Sequence, residues 1–220
     1  MRQTFDVVRQ ALPWQALFFL ALGLTLVLAG ILGIDRVIAE TTDRSPVGSE
    51  LLDFVVDMLD MLTFKWISNN FLGPMLIVIA LSFNAMRHRD FFRGGLLYVG
   101  ICQTIGTLVA ELAKPIFGRA RPFQTSGEAG WIDTWFAGSA YSSFPSGHVA
   151  FYTCLCLPVA LWRPRLAAAV MLVPLVVAVQ RMVSHVHYAS DVGASMILAT
   201  IISLAARPWF LQEDSQSFVG

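Results

Sequence analysis

Residues 181–191 read RMVSHVHYASD and lie between two long apolar runs, Leu166–Val183 and Val192–Ala206. One arginine, two histidines and one aspartate therefore stand where the chain leaves apolar surroundings and enters them again. Charge at such a boundary is costly unless it is paired or functional. The stretch accordingly indicates either a local ion pair or a reactive site at the end of two membrane-buried helices.

Three residues of this stretch have a spacing that suits nucleophilic attack on an anionic substrate. His187 and Asp191 are four apart, so a helix beginning near them would stack one side chain over the other. The carboxylate could then fix the imidazole tautomer and leave the second ring nitrogen free to attack. Arg181 could supply a fixed cation for an anionic substrate. An arginine–aspartate pair beside a histidine at a helix end explains the stretch, taken alone, equally well.

The composition decides the class of protein. The chain has 220 residues, 56% of them hydrophobic and 14% charged, with a mean hydropathy of +0.64 and zero net charge. This is too apolar for a soluble domain of this size and predicts membrane spans, and the charge indicates no nucleic-acid partner. Three cysteines, Cys102, Cys154 and Cys156, fall in apolar runs, so we expect small core residues. Without repeats or linkers, one domain over residues 1–220 is predicted.

Hydropathy predicts six transmembrane helices, each approaching the length that crosses a hydrocarbon core of ~30 Å. They cover Ala16–Ile34, Trp66–Phe83, Gly94–Ala113, Ser146–Trp162, Leu166–Val183 and Ser190–Ala206. A short helix is also predicted at Glu50–Leu62, with its acidic residues on one face: Glu50, Asp53, Asp57 and Asp60. That pattern is typical of an amphipathic interfacial helix with its acids toward water, and it does not call for a metal site. The predicted fold is an all-α polytopic membrane protein.

Six spans place both termini on one side, and the basic residues indicate which side. Eight fall on the side of the termini: Arg2, Arg9, Arg87, Arg89, Arg93, Arg163, Arg165 and Arg207. Seven fall opposite: Arg36, Arg44, Lys65, Lys114, Arg119, Arg121 and Arg181. Three of those seven are assigned to chemistry below, so the positive-inside rule predicts cytoplasmic termini. Residues 114–148 and 181–191 then share the outer face.

Two more polar clusters lie on that face. Lys114 closes a predicted span, and Arg121 follows seven residues later, so both cations could meet one anion. The competing interpretation is ordinary snorkelling of basic side chains at a span end. The second cluster, Pro145–His148, precedes the fourth span. Ser146 is a good N-cap there, and Gly147 lets backbone N–H groups approach a ligand.

A helix N-terminus of this kind favours phosphate through its free N–H groups and its dipole. His148 in the first turn is poorly placed as a dipole partner, since cations suit the other end of a helix. The competing interpretation is a capped helix start with an incidental histidine.

Taken in order, the three clusters resemble the motifs of the type 2 phosphatidic acid phosphatase (PAP2) superfamily. Its first motif is Lys, six residues, Arg-Pro; its second is Pro-Ser-Gly-His; its third is Ser-Arg, five residues, His, three residues, Asp. The matching residues are Lys114, Arg121 and Pro122; Pro145, Ser146, Gly147 and His148; and Arg181, His187 and Asp191. The departure is Gln180, where the family usually has serine. It affects one supporting hydrogen bond rather than the chemistry.

The resemblance implies a metal-independent lipid phosphate phosphatase with no cofactor and a phosphohistidine intermediate. His187 would be the nucleophile, Asp191 would orient it, and His148 would be the general acid and later the base. The residues expected to bind the substrate phosphate are Lys114, Arg121, Ser146, Gly147 and Arg181. The six-span layout resembles the bacterial branch, with phosphatidylglycerophosphate, undecaprenyl-pyrophosphate and lipid A phosphatases. That branch implies the cytoplasmic (inner) membrane, with the active site facing the periplasm.

Other interpretations remain open at this point. A phosphotransferase could use the same residues to move a phosphoryl group from a polyprenyl diphosphate to another lipid. A non-enzymatic transporter would explain charges near spans without chemistry. His185 is expected to pack or to lie at the interface, and Arg119 to face the headgroups. The expected partners are a membrane lipid phosphate and the bilayer, with no nucleic acid and no required protein partner.

Overall fold

The computed structural model describes residues 12–41, 49–68, 70–82, 90–125, 136 and 142–210. Within these ranges the chain is helical and contains no strand, so the all-α prediction is confirmed. The helices α1 to α8 are Trp14–Ala29, Asp35–Glu40, Ser49–Leu62, Leu72–Ser82, Asp90–Phe117, Gly147–Trp162, Ala167–Val183 and Ala189–Phe210. A π-helical turn, Gly30–Ile34, joins α1 to α2, and short 3₁₀ turns lie at Pro122–Gln124 and Pro164–Leu166.

Four helical segments of the described chain are long and apolar enough to cross a membrane, which indicates a membrane protein. They are Trp14–Glu40, Gly94–Gln124, Pro164–Val183 and Ala189–Phe210. The two other apolar helices, α4 and α6, have 11 and 16 residues. At 1.5 Å per residue, eleven residues cover only about 16 Å of a ~30 Å core. The extension of the second predicted span back to Trp66 is wrong, because turns precede α4.

Two helices run past the charged residues at which hydropathy ends them. The fifth helix continues through Lys114 and Pro115 to Phe117, and α8 continues through Arg207 to Phe210. Gly118, with φ 52°, follows α5 in the left-handed conformation, and its N–H donates to the Lys114 carbonyl at 2.8 Å. A glycine in this conformation is a common helix terminator. The backbone therefore ends the helix one turn beyond its last basic residue.

Small residues bring the helices into close contact. Gly23 of α1 faces Gly193 of α8, and a Cβ on Gly193 would lie 2.4 Å from the Gly23 carbonyl oxygen. Small residues at such crossings let helix backbones approach closely in membranes. Cys102, Cys154 and Cys156 are free thiols inside the core, as predicted.

Contacts at one end of the bundle show how α5, α6 and α8 run relative to one another. The Tyr98 hydroxyl, near the start of α5, donates to the Ser203 carbonyl near the end of α8 at 2.7 Å. Gly95, also near the start of α5, packs against the Trp162 ring at the end of α6. The fifth helix is therefore antiparallel to α6 and α8. Its C-terminal end meets their N-terminal ends at the opposite end of the bundle.

The helix α3 is present, but the prediction that its acids face water holds for only some of them. Asp53 accepts hydrogen bonds from Gln180 Nε2 at 2.5 Å and Ser184 Oγ at 2.9 Å. Asp60 accepts one from the Tyr152 hydroxyl at 2.6 Å. The exposed residues of α3 include two acids and four apolar residues: Glu50, Asp57, Leu51, Phe54, Met61 and Leu62. Two carboxylates thus point into the protein, toward polar partners on α6 and α7.

The first span is longer than predicted and carries a buried charge. Gly33, with φ 139°, allows the backbone to change direction within the π-helical turn, a conformation open mainly to glycine. Asp35 follows it in α2 and is 3% exposed, although hydropathy places it in a polar loop. Its partner is Arg119, whose Nη2 lies 2.9 Å from Asp35 Oδ2 and whose side chain is fully buried. The prediction that Arg119 faces the headgroups is wrong, because two carboxylates hold it inside.

Several predictions concern residues outside the described ranges. They include the expectation that Trp131 and Trp135, in the polar stretch between α5 and α6, lie at the headgroup level of the membrane. They also include basic residues used to orient the chain: Arg2, Arg9, Arg44, Arg87 and Arg89. The six-span count, the side of each terminus and the single-domain boundary stay predictions.

Replacing Arg119 by methionine should destabilise the fold strongly. The change leaves the carboxylates of Asp35 and Asp191 buried together without their cation, which costs about 3–5 kcal/mol. The free energy of unfolding in detergent micelles measures it. The control is Arg36→Met, which breaks an exposed pair with Glu40, 2.7 Å between Arg36 Nε and Glu40 Oε1, and should cost under about 1 kcal/mol. Equal losses in both variants would contradict the importance of the buried network.

Candidate active site

The structure brings the three predicted clusters together where α5 ends and α6 and α8 begin. The Ser146 N–H lies 3.5 Å from the Asp191 carbonyl oxygen, and the Ser195 hydroxyl donates to the Ser146 carbonyl at 3.0 Å. A Cβ on Gly147 would lie 3.0 Å from the Lys114 ammonium nitrogen. Lys114, the start of α6 and the start of α8 therefore border one region.

His187 lies in the turn between α7 and α8, and its tautomer is fixed by a backbone carbonyl. Its Nδ1 is 2.7 Å from the Ser143 carbonyl oxygen. A carbonyl only accepts, so Nδ1 carries the hydrogen and Nε2 keeps its lone pair. The carboxylate of Asp191 is also near, with Oδ2 3.6 Å from Nδ1. The two side chains are adjacent, as the four-residue spacing predicts, although α8 begins only at Ala189 and His187 lies in the turn before it.

Asp191 is fully buried and is bound from several sides. It accepts hydrogen bonds from the Arg119 guanidinium, from Ser143 Oγ at 2.6 Å and from the Tyr188 N–H at 3.0 Å. The Arg119 guanidinium also lies 3.9 Å from the centre of the Tyr188 ring, a cation–π distance. Neither Arg119 nor Ser143 is among the site residues predicted from the sequence. Ser143 precedes the second motif by two residues, and nothing in its type marks it.

Burial keeps His187 uncharged. Its removal from water holds the pKa of His187 below its ordinary value, and the nearby cations Arg121 and Arg181 act in the same direction. Asp191 opposes them without reversing the shift. A neutral imidazole with an unprotonated Nε2 is the nucleophilic form of histidine.

The predicted cations surround both histidines. Arg181 is close enough to His148 and to His187 to act electrostatically on each, and Arg121 acts on His187. The Arg121 guanidinium donates to Ser142 Oγ at 3.2 Å. The Lys114 ammonium donates to a carboxylate one turn earlier on α5, that of Glu111, at 2.6 Å.

Two donors in this region have no partner. Ser146 is the N-cap of α6, as predicted, but its side chain makes no capping hydrogen bond. Its Oγ and the Nε of Arg181 are buried and lack a hydrogen-bond partner among the described residues. Buried polar groups are normally satisfied, so unpaired donors beside a helix N-terminus favour an anionic ligand there.

His148 contacts two residues that the motifs do not contain. Its Nε2 lies 2.9 Å from the Lys65 ammonium nitrogen and 3.0 Å from Asp60 Oδ2. Lys65 is only 8% exposed. The sequence marks Lys65 only as one of the basic residues on the side opposite the termini and Asp60 only as part of an acidic face. Neither belongs to a motif, although Lys65 and Lys114 are the only lysines of the chain.

The surroundings of Lys65 and Asp60 shift the pKa of each. Burial lowers the pKa of Lys65 to about 8, although Asp60 acts in the opposite direction. Burial raises the pKa of Asp60, but its interactions with His148 and Tyr152 outweigh this effect and leave that pKa below its ordinary value. Asp60 is therefore a carboxylate at neutral pH, and Lys65 is close to its titration point.

Gln180, the departure from the family motif, has a structural contact of its own. Its Nε2 donates to Asp53 Oδ1 and, at 3.1 Å, to Ser184 Oγ. The glutamine therefore joins α7 to α3, the helix that carries Asp60.

A comparison with known protein families matches residues 95–214 to the PAP2 superfamily. The match covers more than half of the chain and contains all three motifs, so the chain belongs to this superfamily, whose members are phosphatases. The predicted resemblance is confirmed, and the chain is a phosphoric ester hydrolase in general class. Comparisons with curated proteins and with solved structures found no match. Asp35, Asp60 and Lys65 lie outside the matched residues.

The tautomer of His187 can be measured directly. In protein labelled with ¹⁵N-histidine, we expect His187 to show a protonated Nδ1 and an unprotonated Nε2 at neutral pH, because the Ser143 carbonyl accepts the Nδ1 hydrogen. Its titration midpoint should lie below ~6.5, the ordinary pKa of histidine. The His187→Gln spectrum identifies its signals, and His185 is the internal reference in the same turn. A protonated Nε2 at neutral pH would contradict the geometry.

Proposed function

We propose that the protein is an integral-membrane lipid phosphate phosphatase that uses His187 as its nucleophile and needs no metal. One observation carries the proposal: His187 keeps its Nε2 lone pair, because the Ser143 carbonyl occupies Nδ1, and cations surround it. The superfamily membership supports phosphate ester hydrolysis, and the apolar helices support a membrane substrate.

The substrate phosphate would bind between the cations and the start of α6. Lys114, Arg121 and Arg181 would hold its oxygens, and Ser146 and the Gly147 N–H would add donors. Phosphoryl transfer spreads negative charge over the equatorial oxygens, so positioned cations and N–H groups supply most of the catalysis. The unpaired donors of Ser146 and Arg181 would gain partners in this way.

In the first step, the Nε2 lone pair attacks phosphorus, and the bond from phosphorus to the leaving oxygen breaks. His148 gives that oxygen a proton, which a poor leaving group requires. The phosphorylated ring of His187 becomes cationic, and the Asp191 carboxylate, 3.6 Å from Nδ1, offsets this charge. In the second step, water attacks the phosphohistidine, His148 accepts a water proton, and phosphate leaves.

The site's position at one end of an apolar bundle supports a lipid as the substrate. A lipid tail would enter sideways from the bilayer while the headgroup phosphate reaches His187. Candidates are phosphatidylglycerophosphate, phosphatidic acid, undecaprenyl diphosphate and a lipid A 1-phosphate. We place the site on the periplasmic face of a bacterial inner membrane, with six spans and cytoplasmic termini. Arg163 and Arg165, in the turn after Trp162 at the other end of the bundle, support this orientation.

Purified protein should release inorganic phosphate from one or more of these lipids in the presence of EDTA. His187→Ala should abolish release, because it removes the group proposed to form the covalent intermediate. The control is His185→Asn, two residues away, where asparagine tolerates the left-handed backbone (φ 53°) and release should persist. A requirement for added divalent metal would contradict the proposed mechanism, as would full activity of His187→Ala.

The same assay separates the phosphatase from a phosphotransferase. A polyprenyl diphosphate is supplied together with a second lipid, and the products are analysed for free phosphate and for a phosphorylated acceptor lipid. We expect free phosphate, because water is the acceptor in the mechanism above. A phosphorylated lipid in place of free phosphate would favour the transferase.

A further inference from the structure

We propose that Lys65 supplies, through the imidazole of His148, the proton that the leaving group takes, and that Asp60 positions this imidazole. The inference rests on the proposed phosphatase function and adds two residues to it. Both act through His148 and are therefore positioning residues. They lie at the end of α3 and in the turn after it, outside the residues matched to the superfamily.

The Nε2 atom of His148 has two polar neighbours, one cationic and one anionic. Lys65 Nζ is 2.9 Å away, and Asp60 Oδ2 is 3.0 Å away on the same nitrogen. An ammonium group only donates and a carboxylate only accepts. As a bare lone pair, Nε2 can accept from Lys65; as an N–H, it can donate to Asp60. Gain of one proton therefore exchanges one good partner for the other without moving the ring.

This exchange completes a proton relay. In the resting site, Lys65 is an ammonium and His148 is neutral with its hydrogen on Nδ1. When the bond from phosphorus to the leaving oxygen breaks, that oxygen takes the Nδ1 proton, and Nε2 takes a proton from Lys65. The imidazole stays neutral, Lys65 becomes an amine, and the new Nε2–H donates to Asp60.

The second chemical step restores the site. Water attacks the phosphohistidine, its oxygen bonds to phosphorus, and the bond from phosphorus to His187 Nε2 breaks. A water proton passes to Nδ1 of His148, and the Nε2 proton returns to Lys65. Over the cycle, one water is consumed, and one alcohol or phosphate leaving group and one phosphate are released.

A lysine at this position is suited to the task. Burial brings the pKa of Lys65 to about 8, so the amine can give up and regain a proton near neutral pH. An arginine could not, since it stays charged throughout. The charged and titratable groups around Lys65 come from four elements: Asp60 on α3, Glu111 and Lys114 on α5, His148 and Tyr152 on α6, and Arg181 on α7. The two acids retain the proton, and the cations favour its release.

The relay also keeps positive charge low beside His148. An imidazolium there would stand 2.9 Å from an ammonium and within electrostatic range of Arg181. Passing the proton through a ring that stays neutral avoids this repulsion. The direct alternative is that Lys65 is only another cation that binds phosphate, and the two roles make different predictions.

The test compares Lys65→Arg with wild type on two substrates whose leaving groups differ in basicity. Phosphatidic acid releases a basic alkoxide that needs a proton, and p-nitrophenyl phosphate releases a weakly basic phenolate that does not. We expect kcat on phosphatidic acid to fall by about 10²–10⁴, the usual contribution of general acid catalysis, with KM little changed. Activity on p-nitrophenyl phosphate should stay close to wild type.

The pH profile gives an independent readout. Wild-type kcat on phosphatidic acid should fall as pH rises through about 8, because Lys65 then loses the proton that it must supply. Lys65→Arg should lack this alkaline limb. Asp60→Asn should also lower kcat on phosphatidic acid selectively, whereas Asp57→Asn, an exposed acid one turn earlier on α3, should not.

Full activity of Lys65→Arg on phosphatidic acid would overturn the relay, because charge alone would then suffice. Equal losses on both substrates would overturn it too, since these indicate a binding or folding defect. Thermal unfolding of each variant identifies the folding case. Failure of the proposed function looks different: wild type would release no phosphate, or His187→Ala would remain active.

Discussion

The reactive end of the molecule depends on one buried cation. The Arg119 guanidinium has no exposed surface and bonds the carboxylates of Asp35 and Asp191, from the first span and the last. A buried ion is tolerated only when its partners are in place, so these segments must assemble together. Asp191 also binds Ser143 and the backbone N–H beside His187. The same network therefore positions the imidazole of His187, which we propose as the nucleophile.

The two histidines of the site have opposite surroundings, which suits opposite roles. His187 meets a backbone carbonyl that cannot give a proton, so its second nitrogen is left as a lone pair. His148 meets an ammonium and a carboxylate on one nitrogen, so that nitrogen can either receive or hold a proton. One arrangement suits nucleophilic attack and the other suits proton transfer. Lys65 and Asp60, which make the second arrangement, come from a part of the chain without a motif.

The helix α3 shows how an amphipathic pattern can be read in two ways. Its acids share a face, and hydropathy assigns that face to water. In the structure, Asp53 and Asp60 bond Gln180, Tyr152 and His148, and the apolar residues Leu51 and Phe54 are exposed in their place. A polar partner and water both satisfy a carboxylate, so a one-dimensional pattern cannot distinguish them. Gln180 is one of these polar partners, since its side-chain amide donates to Asp53 on α3.

The sequence by itself determined the class: apolar runs require helices that satisfy their own backbone in lipid, and fixed motif spacings place Lys114, Ser146 and His187 at helix ends. Hydropathy and the alternation of spans also predicted that these clusters share one face of the membrane. Only the tertiary structure decided which groups hold them. These groups are distant in sequence from the side chains that they bind, and a local sequence pattern cannot predict such contacts. They are Arg119, Ser143, Asp60 and Lys65. Packing of separate helices creates these contacts, because a buried charge or an imidazole nitrogen must find its partner across the fold.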